Sequence, residues 1–272
     1  DIYDPIFRGY SKIPTLATLH NIFWSSKTGE KDGLWYAHNG RVLVYDKFPS
    51  LPYISISDKY TNLCPSKINF IKTIYHCLDI NNFKFQSSPE NCFVWLGRIT
   101  KVKGLDVAVK LAKEMDFNLL IAGAIVSPEE KIFFENEIKP HLNKKIQFLG
   151  ELKSDQEKTE FLSRGKALIY PLCWEEPFGI VMAEAMACGT PVIAFDRGSA
   201  SEVVKDGKTG YIIRDGDLNE MIEAIKKIDQ IDRNECRKWV EENFTIEKMV
   251  DDYEEMYYKL IEDFAENRTQ NG

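Results

Sequence analysis

From Cys92 onward the chain alternates between short apolar runs and amphipathic stretches. The runs at 93–96, 118–122, 146–149, 167–170, 191–195 and 210–213 are short and largely β-branched, aromatic or Leu-rich, which predicts strands. Between them, Leu105, Ala108, Leu111, Ala112 and Met115 fall on one helical face. Helix starts are equally marked. Ser127-Pro128-Glu129-Glu130 reads as a capping box with Pro at the first helical position. Ser154 with Glu157 is a second box, closed by Gly165, and Asp217 with Glu220 opens a further helix. Strands alternating with helices predict an α/β, doubly wound parallel sheet. Two charged helices follow, near 232–243 and 246–264. In the last, Met249, Tyr253, Met256, Tyr257 and Leu260 form a stripe that needs a partner surface.

The first ninety residues are sparser. Strands are predicted at 15–19, ending in His20-Asn21, at 53–57 and at 68–75, with a helical stretch to about Asn62 after the second. The loop after the third holds Asp79 and Phe83, and residues 84–90 are polar enough to read as a linker. Three strands without a full set of covering helices make a poor independent domain, so this part reads as the tail of a larger one. Consistent with that, the chain begins at Asp1 in what reads as mid-fold, as a truncated or processed product would.

The centre of the pattern is the stretch from Glu175 to Phe195. An apolar run ends at Pro171, a loop carries Glu175 and Glu176, and a helix follows with Gly179 near its start and Gly189 just past its end. A strand edge, an acidic loop and a helix N-terminus therefore converge, the usual geometry for holding an anion. Glu176 and Glu184 are eight residues apart, roughly 12 Å at ~1.5 Å per residue. That suits two acceptors at opposite ends of an extended ligand with an anion between them; two hydroxylated rings joined by a diphosphate, a nucleotide-sugar, would fit. Glu184 lies among Val181, Met182, Ala183, Ala185, Met186 and Ala187 on an almost wholly apolar helix, and a carboxylate buried there needs a partner.

Composition narrows the classes. The 272 residues are 44% hydrophobic and 28% charged, which supports a proper core, and a net charge of −7 without a Lys/Arg block argues against nucleic-acid binding. Apolar runs fall short of a membrane span, and with no signal-peptide pattern a cytoplasmic place is expected, association with the inner membrane face staying open. Six cysteines without a C-x-x-C pair predict free buried thiols. The histidines His20, His38, His76 and His141 show no metal-ligand spacing, so neither a metal nor another cofactor is expected.

The loop Gly97-Arg98-Ile99-Thr100-Lys101-Val102-Lys103-Gly104 follows the first strand of this sheet and opens its first helix. Arg98 and Lys103 would flank the carboxyl edge of the sheet, where their charges can neutralise a diphosphate without metal. Other motifs fail. Gly207-Lys208-Thr209 imitates the end of a phosphate-binding P-loop, but Glu202 stands where the first glycine is required and a strand follows. No G-x-G-x-x-G occurs, and Asp215-Gly216-Asp217 reads as a turn plus a helix cap.

These residues together resemble the retaining, nucleotide-sugar-dependent glycosyltransferases of family 4, whose GT-B fold comprises two facing Rossmann-like domains. The most specific parts are Glu176-Pro177-Phe178-Gly179 with Glu184, Gly97-Arg98 with Lys103-Gly104, Phe148-Leu149-Gly150-Glu151, and Cys188-Gly189-Thr190-Pro191-Val192-Ile193-Ala194. The stretch from Asp232 to Tyr257 is similar to the end of a bacterial subgroup with a compact N-terminal domain. The resemblance implies that residues 1–83 end an acceptor-side domain, 84–91 link it, 92–245 bind the nucleotide-sugar, and 246–272 cross back. It further implies that Arg98 and Lys103 hold the donor diphosphate with backbone amides around Phe178, Gly179, Ile180 and Val181. Glu184 would accept from the ribose hydroxyls, Glu176 from the transferred sugar, and Leu152 would lie against the base. His20, in Thr18-Leu19-His20, matches the family's Thr-x-His, whose His faces the donor sugar.

Two departures stand out: the glycine-rich loop at the family's N-terminal start is not found, and His76-Cys77-Leu78-Asp79 replaces the usual Asn-Gly before Asp. The implied reaction is metal-independent sugar transfer to a hydroxyl of a sugar or lipid-linked acceptor, with retention. The alternatives are a truncated nucleotide-sugar-binding chain without turnover and a GT-B-fold epimerase, whose acid/base residues at the sugar C2 are not identifiable here.

Overall fold

The structure, a computed structural model, describes residues 8, 13–20, 48–63 and 68–270; Asn21, His38 and Cys64 lie outside the described residues. The chain divides into two units, Asp1–Cys77 with Ile246–Gly272, and Leu78–Thr245. In the first, strands β1 (Ala17–Leu19), β2 (Pro52–Ser55) and β3 (Asn69–Thr73) form a parallel sheet in that order, with helix α1 (Asp58–Leu63) between the last two.

The second unit carries a six-stranded, all-parallel sheet of β4 (Phe93–Leu96), β5 (Leu119–Ala122), β6 (Ile146–Phe148), β7 (Leu168–Tyr170), β8 (Val192–Phe195) and β9 (Gly210–Ile213). Its spatial order is β6-β5-β4-β7-β8-β9. Counted within the sheet this is 3-2-1-4-5-6, so the winding reverses between β4 and β7. Every residue of β4, β5, β7 and β8 is buried, whereas the edge strands β6 and β9 are only partly so. Burial on both faces is why the four inner strands read as continuous apolar runs rather than alternating ones.

The helices of this unit are α2 (Leu105–Met115), α3 (Pro128–Phe133), α4 (Asp155–Arg164), α5 (Ile180–Ala187), α6 (Ala200–Val203), α7 (Leu218–Lys227) and α8 (Arg233–Asn243). The capping residues act as the sequence predicts: Ser127, Ser154 and Asp217 each accept from the backbone N–H three residues on. Gly165 differs. It ends α4 in an extended conformation, and glycine is needed because a Cβ there would lie 2.7 Å from Val94. The four-residue α6 leaves no periodicity for a sequence to show.

Residues 84–91, expected as a linker, belong to the second unit. The buried Arg233 donates to the carbonyls of Gln86, Ser163 and Gly165 and to Thr190 Oγ1, while Arg237 donates to the carbonyls of Phe83 and Ile80. Leu78 N–H donates to Phe244 O at 2.8 Å. Because all of these bonds but the one to Thr190 go to backbone carbonyls, side-chain polarity gives little hint of them.

Helix α9 (Ile246–Gln270) joins the first unit. Met256 packs with Ile54 and Ile74, the Tyr253 hydroxyl is 2.6 Å from Thr18 Oγ1, and Lys72 bridges Asp252 and Glu255. Of the predicted stripe, Tyr257 instead lies 51% exposed. Among the described residues no helix is long and apolar enough to cross a membrane. The described cysteines are free, but not all buried: Cys77 is intermediate and Cys173 exposed, on the loop after β7. Burial pushes the Cys188 and Cys236 thiols up to about 12, which leaves them protonated.

Candidate active site

Parallel strands deliver their following loops to one edge of a sheet. At the edge where the winding reverses, the loops after β4 and β7 touch. Gly104, in the left-handed region at φ 71°, lies so close to Pro171 that a Cβ would fall 1.8 Å from its carbonyl oxygen. The Trp95 indole N–H, from inside β4, donates to Lys103 O at 3.3 Å and ties the loop to the core. This brings the Lys103 ammonium to Glu176 Oε2, an oxygen that also accepts from the Trp174 indole N–H at 2.9 Å. The ammonium stands 4.5 Å from the centre of the Trp174 ring, within cation–π range.

Glu176 is 7% exposed and held through its backbone. Ser199 N–H donates to Glu176 O at 2.9 Å, and Gly198, at φ 54°, packs so tightly that a Cβ would lie 2.1 Å from that oxygen. Its neighbour Glu175 does something else: it accepts from Gly198 N–H at 2.7 Å and from Arg197, which also reaches Asp215. So of two adjacent acids, one braces the β8 loop and the other stands beside the lysine.

Helix α5 starts at the same place. Gly179 caps it at φ 75° without a side-chain acceptor, so the first-turn N–H groups of Ile180 and Val181 and the positive end of the helix dipole are presented there. The Phe178 side chain is buried edge-on against Phe244, with centroids 5.5 Å apart, and so contributes backbone only. Glu184 lies in this helix, 6% exposed, and its partner is Lys158 from α4, at 2.7 Å. Burial first, then the charges of Glu176 and Glu184, hold the Tyr170 hydroxyl well above its usual range, so it stays neutral beneath the site.

Arg98, which begins the β4 loop, donates through Nε to Glu130 Oε1. Glu130 is 3% exposed, and its other oxygen accepts from Val126 N–H at 2.7 Å. The predicted capping box is thus half realised: Ser127 caps, while the Glu130 carboxylate leaves the cap to hold Arg98. Leu152 is half-buried on the loop after β6, at the same sheet edge.

His20 belongs to the first unit, at the carboxyl end of β1. It is exposed and stacked on His76, centroids 5.1 Å apart, and burial, with His20 second, pulls the His76 imidazole below its usual value. Of the motifs set aside, Lys208 pairs with Glu235 and Asp217 caps α7.

Sequence reasoning placed Arg98, Lys103, Leu152, Glu176, Phe178, Gly179, Ile180, Val181 and Glu184 near one sheet edge, and the topology brings their segments there. It missed Trp174, Glu130 and Lys158, the groups that hold Glu176, Arg98 and Glu184. Only Glu184 signalled the gap, through its apolar surroundings.

The sequence matches the family model described as glycosyl transferases group 1 over residues 79–245. N-acetyl-alpha-D-glucosaminyl L-malate synthase of Bacillus anthracis is 31% identical over 209 residues, covering 72% of this chain and 53% of that protein. The lipopolysaccharide core biosynthesis mannosyltransferase LpsB of Rhizobium meliloti is 34% identical over 145 residues, 49% of this chain and 39% of that one. The chain spans about half the length of such curated relatives. Among solved structures, sucrose-phosphate synthase from Thermosynechococcus elongatus superposes with a TM-score of 0.78 at 22% identity, covering 95% of this chain and 70% of that one. Anabaena Alr3699/HepE, solved with UDP and glucose, gives 0.75 at 18% identity over 94% of this chain and 74% of that one. At these identities the likeness establishes the fold.

Proposed function

The chain belongs to the group 1 glycosyl transferases, and from that premise we propose that it binds a nucleoside-diphosphate sugar along the carboxyl edge of its six-stranded sheet and transfers the sugar to an acceptor hydroxyl. The observation that carries this reading is the contact between Lys103 and Glu176. In such a donor the transferred sugar is bonded to the distal phosphate. A cation for that phosphate and an acceptor for a sugar hydroxyl must therefore be neighbours, and these two are. Glu184, further along α5, serves the ribose at the other end of the diphosphate, with Leu152 against the base.

In the transfer, the bond between the anomeric carbon and the diphosphate oxygen breaks, and the acceptor oxygen bonds to that carbon on the same face. The acceptor proton passes to the departing phosphate, so no protein nucleophile is required. Negative charge grows on the leaving diphosphate. Arg98, Lys103 and the first-turn amides of α5 lie where that charge develops, and fixed dipoles and cations stabilise it without reorganising. They supply the positive charge a divalent ion would otherwise give, so transfer proceeds without metal.

The test is a panel of uridine, guanosine and adenosine diphosphates and their sugars, read by thermal shift and then by transfer with the anomeric configuration assigned by NMR. Retained configuration, undiminished by a chelator, supports the proposal; inversion or chelator-sensitive transfer overturns the mechanism. Binding with no transfer or hydrolysis reduces it to nucleotide-sugar binding.

A further inference from the structure

We infer that Lys158 is a positioning residue for Glu184 and, through it, sets the preference of the site for a ribonucleotide over its deoxy counterpart; this rests on the donor-site reading above. Lys158 and Glu184 lie on neighbouring helices. The ammonium is gripped from two sides: 2.7 Å from Glu184 Oε1 on α5, and 2.9 Å from Asp155 Oδ1 one turn back on α4. Asp155 sits in the first turn of α4, where the helix dipole favours an acid, so the ammonium is itself fixed.

The consequence falls on the second oxygen of Glu184. With Oε1 tied to Lys158, the carboxylate cannot rotate freely, and Oε2 accepts from none of the described residues. A carboxylate offers about four lone-pair sites, so it can take both vicinal hydroxyls of a ribose while still holding the lysine. Burial pulls the Lys158 ammonium down, but its bonds to Glu184 and Asp155 outweigh this and raise it, so it stays charged at any pH the protein meets. A role in stability alone would be met as well by two apolar side chains. What such a pair could not do is aim an ionised acceptor at a diol.

The test is calorimetric titration of the full chain with UDP and 2′,3′-dideoxy-UDP, and with the matching guanosine and adenosine pairs. The wild type is compared with Lys158→Met and Lys158→Arg. The expected wild-type preference for the ribonucleotide is about tenfold to a hundredfold, the range for hydrogen bonds to a charged group. In Lys158→Met that ratio falls to within about twofold, because only the hydroxylated nucleotide loses affinity, and Lys158→Arg restores it. A preserved ratio in Lys158→Met, or an equal loss for both nucleotides, overturns the positioning role. A wild type that binds both nucleotides equally removes the ribose role of Glu184, and with it this inference, while leaving the diphosphate site standing. A wild type that binds none of the nucleotides removes the donor-site reading itself.

Discussion

Lys103 and Glu176 rise from the loops after β4 and β7 and meet head to head where the winding of the sheet reverses. Both side chains are largely withdrawn from water, 17% and 9% exposed. Removing one partner of such a pair strands the other. Lys103→Met or Glu176→Gln should each cost about 3 kcal/mol, with the double variant recovering about 1–3 kcal/mol of the sum. Denaturant unfolding of all four proteins reads this cycle, and additive losses would show the pair to be uncoupled.

Arg98→Ala and Glu184→Ala should each abolish the thermal shift given by a saturating nucleotide-sugar while leaving the protein folded. At a hundred times its dissociation constant a ligand adds about 2.7 kcal/mol of stability, which is readily measured. A full shift in both variants would place the donor elsewhere.

Glu130→Gln keeps an acceptor for Val126 N–H but removes the charge that holds Arg98. Nucleoside-diphosphate affinity is expected to fall about fivefold to tenfold, the worth of a charge-assisted bond over a neutral one. Titration calorimetry measures it, and unchanged affinity would make Glu130 a helix-capping residue only.

Gly198→Ala introduces a Cβ 2.1 Å from Glu176 O at a backbone angle, φ 54°, that L side chains rarely adopt. A loss of at least about 1–3 kcal/mol is expected, together with weaker sugar recognition as the Glu176 backbone is pushed aside. Melting temperature and KM for the sugar donor are the two readouts.

The first unit should loosen in acid through Asp252. Burial alone would raise its carboxyl, but bonds from Lys72 and Lys248 more than reverse this, so it stands below the ordinary 3.8. A depressed acid contributes stability that is present above its unfolded value and lost as pH falls through the folded one. The Asp252 contribution is therefore full well above 3.8 and is lost progressively as pH falls below 3.8 through the lower folded value. Asp252→Asn should flatten the acid limb of the stability profile there. Lys72, raised above 10.5 by its bonds to Asp252 and Glu255 despite burial, loses its share only at more alkaline pH.

Much of the second unit was legible because its inner strands are buried on both faces. Phe93 to Leu96 and Val192 to Phe195 could be little else, and the capping residues before α3, α4 and α7 carry their own chemistry. The site was legible for a related reason. Glu184 is conspicuous among alanines and methionines, and Arg98 and Lys103 bracket a loop between a strand and a helix. What stayed hidden depends on pairing across the chain. Nothing local to Lys158 says that it answers Glu184, and Glu130 serves the local cap only as decoy while its carboxylate goes to Arg98. Likewise residues 84–91 looked like a linker because, the Glu90–Arg164 ion pair aside, their ties run through the backbone: Arg233 donates to Gln86 O, Gln86 N–H to Cys188 O and Glu90 N–H to Arg164 O.

At the far end of α5, Arg237 donates to Ala187 O at 2.9 Å, placing a permanent cation on the helix's last turn. That cation quenches the negative pole of the helix, and the opposite pole is left to act alone on whatever anion approaches it. In the proposed donor complex, the grip on phosphate would thus be set in part by a residue at the opposite end of the helix. Replacing that guanidinium with a neutral group would weaken anion retention from behind, without altering a single atom at the mouth.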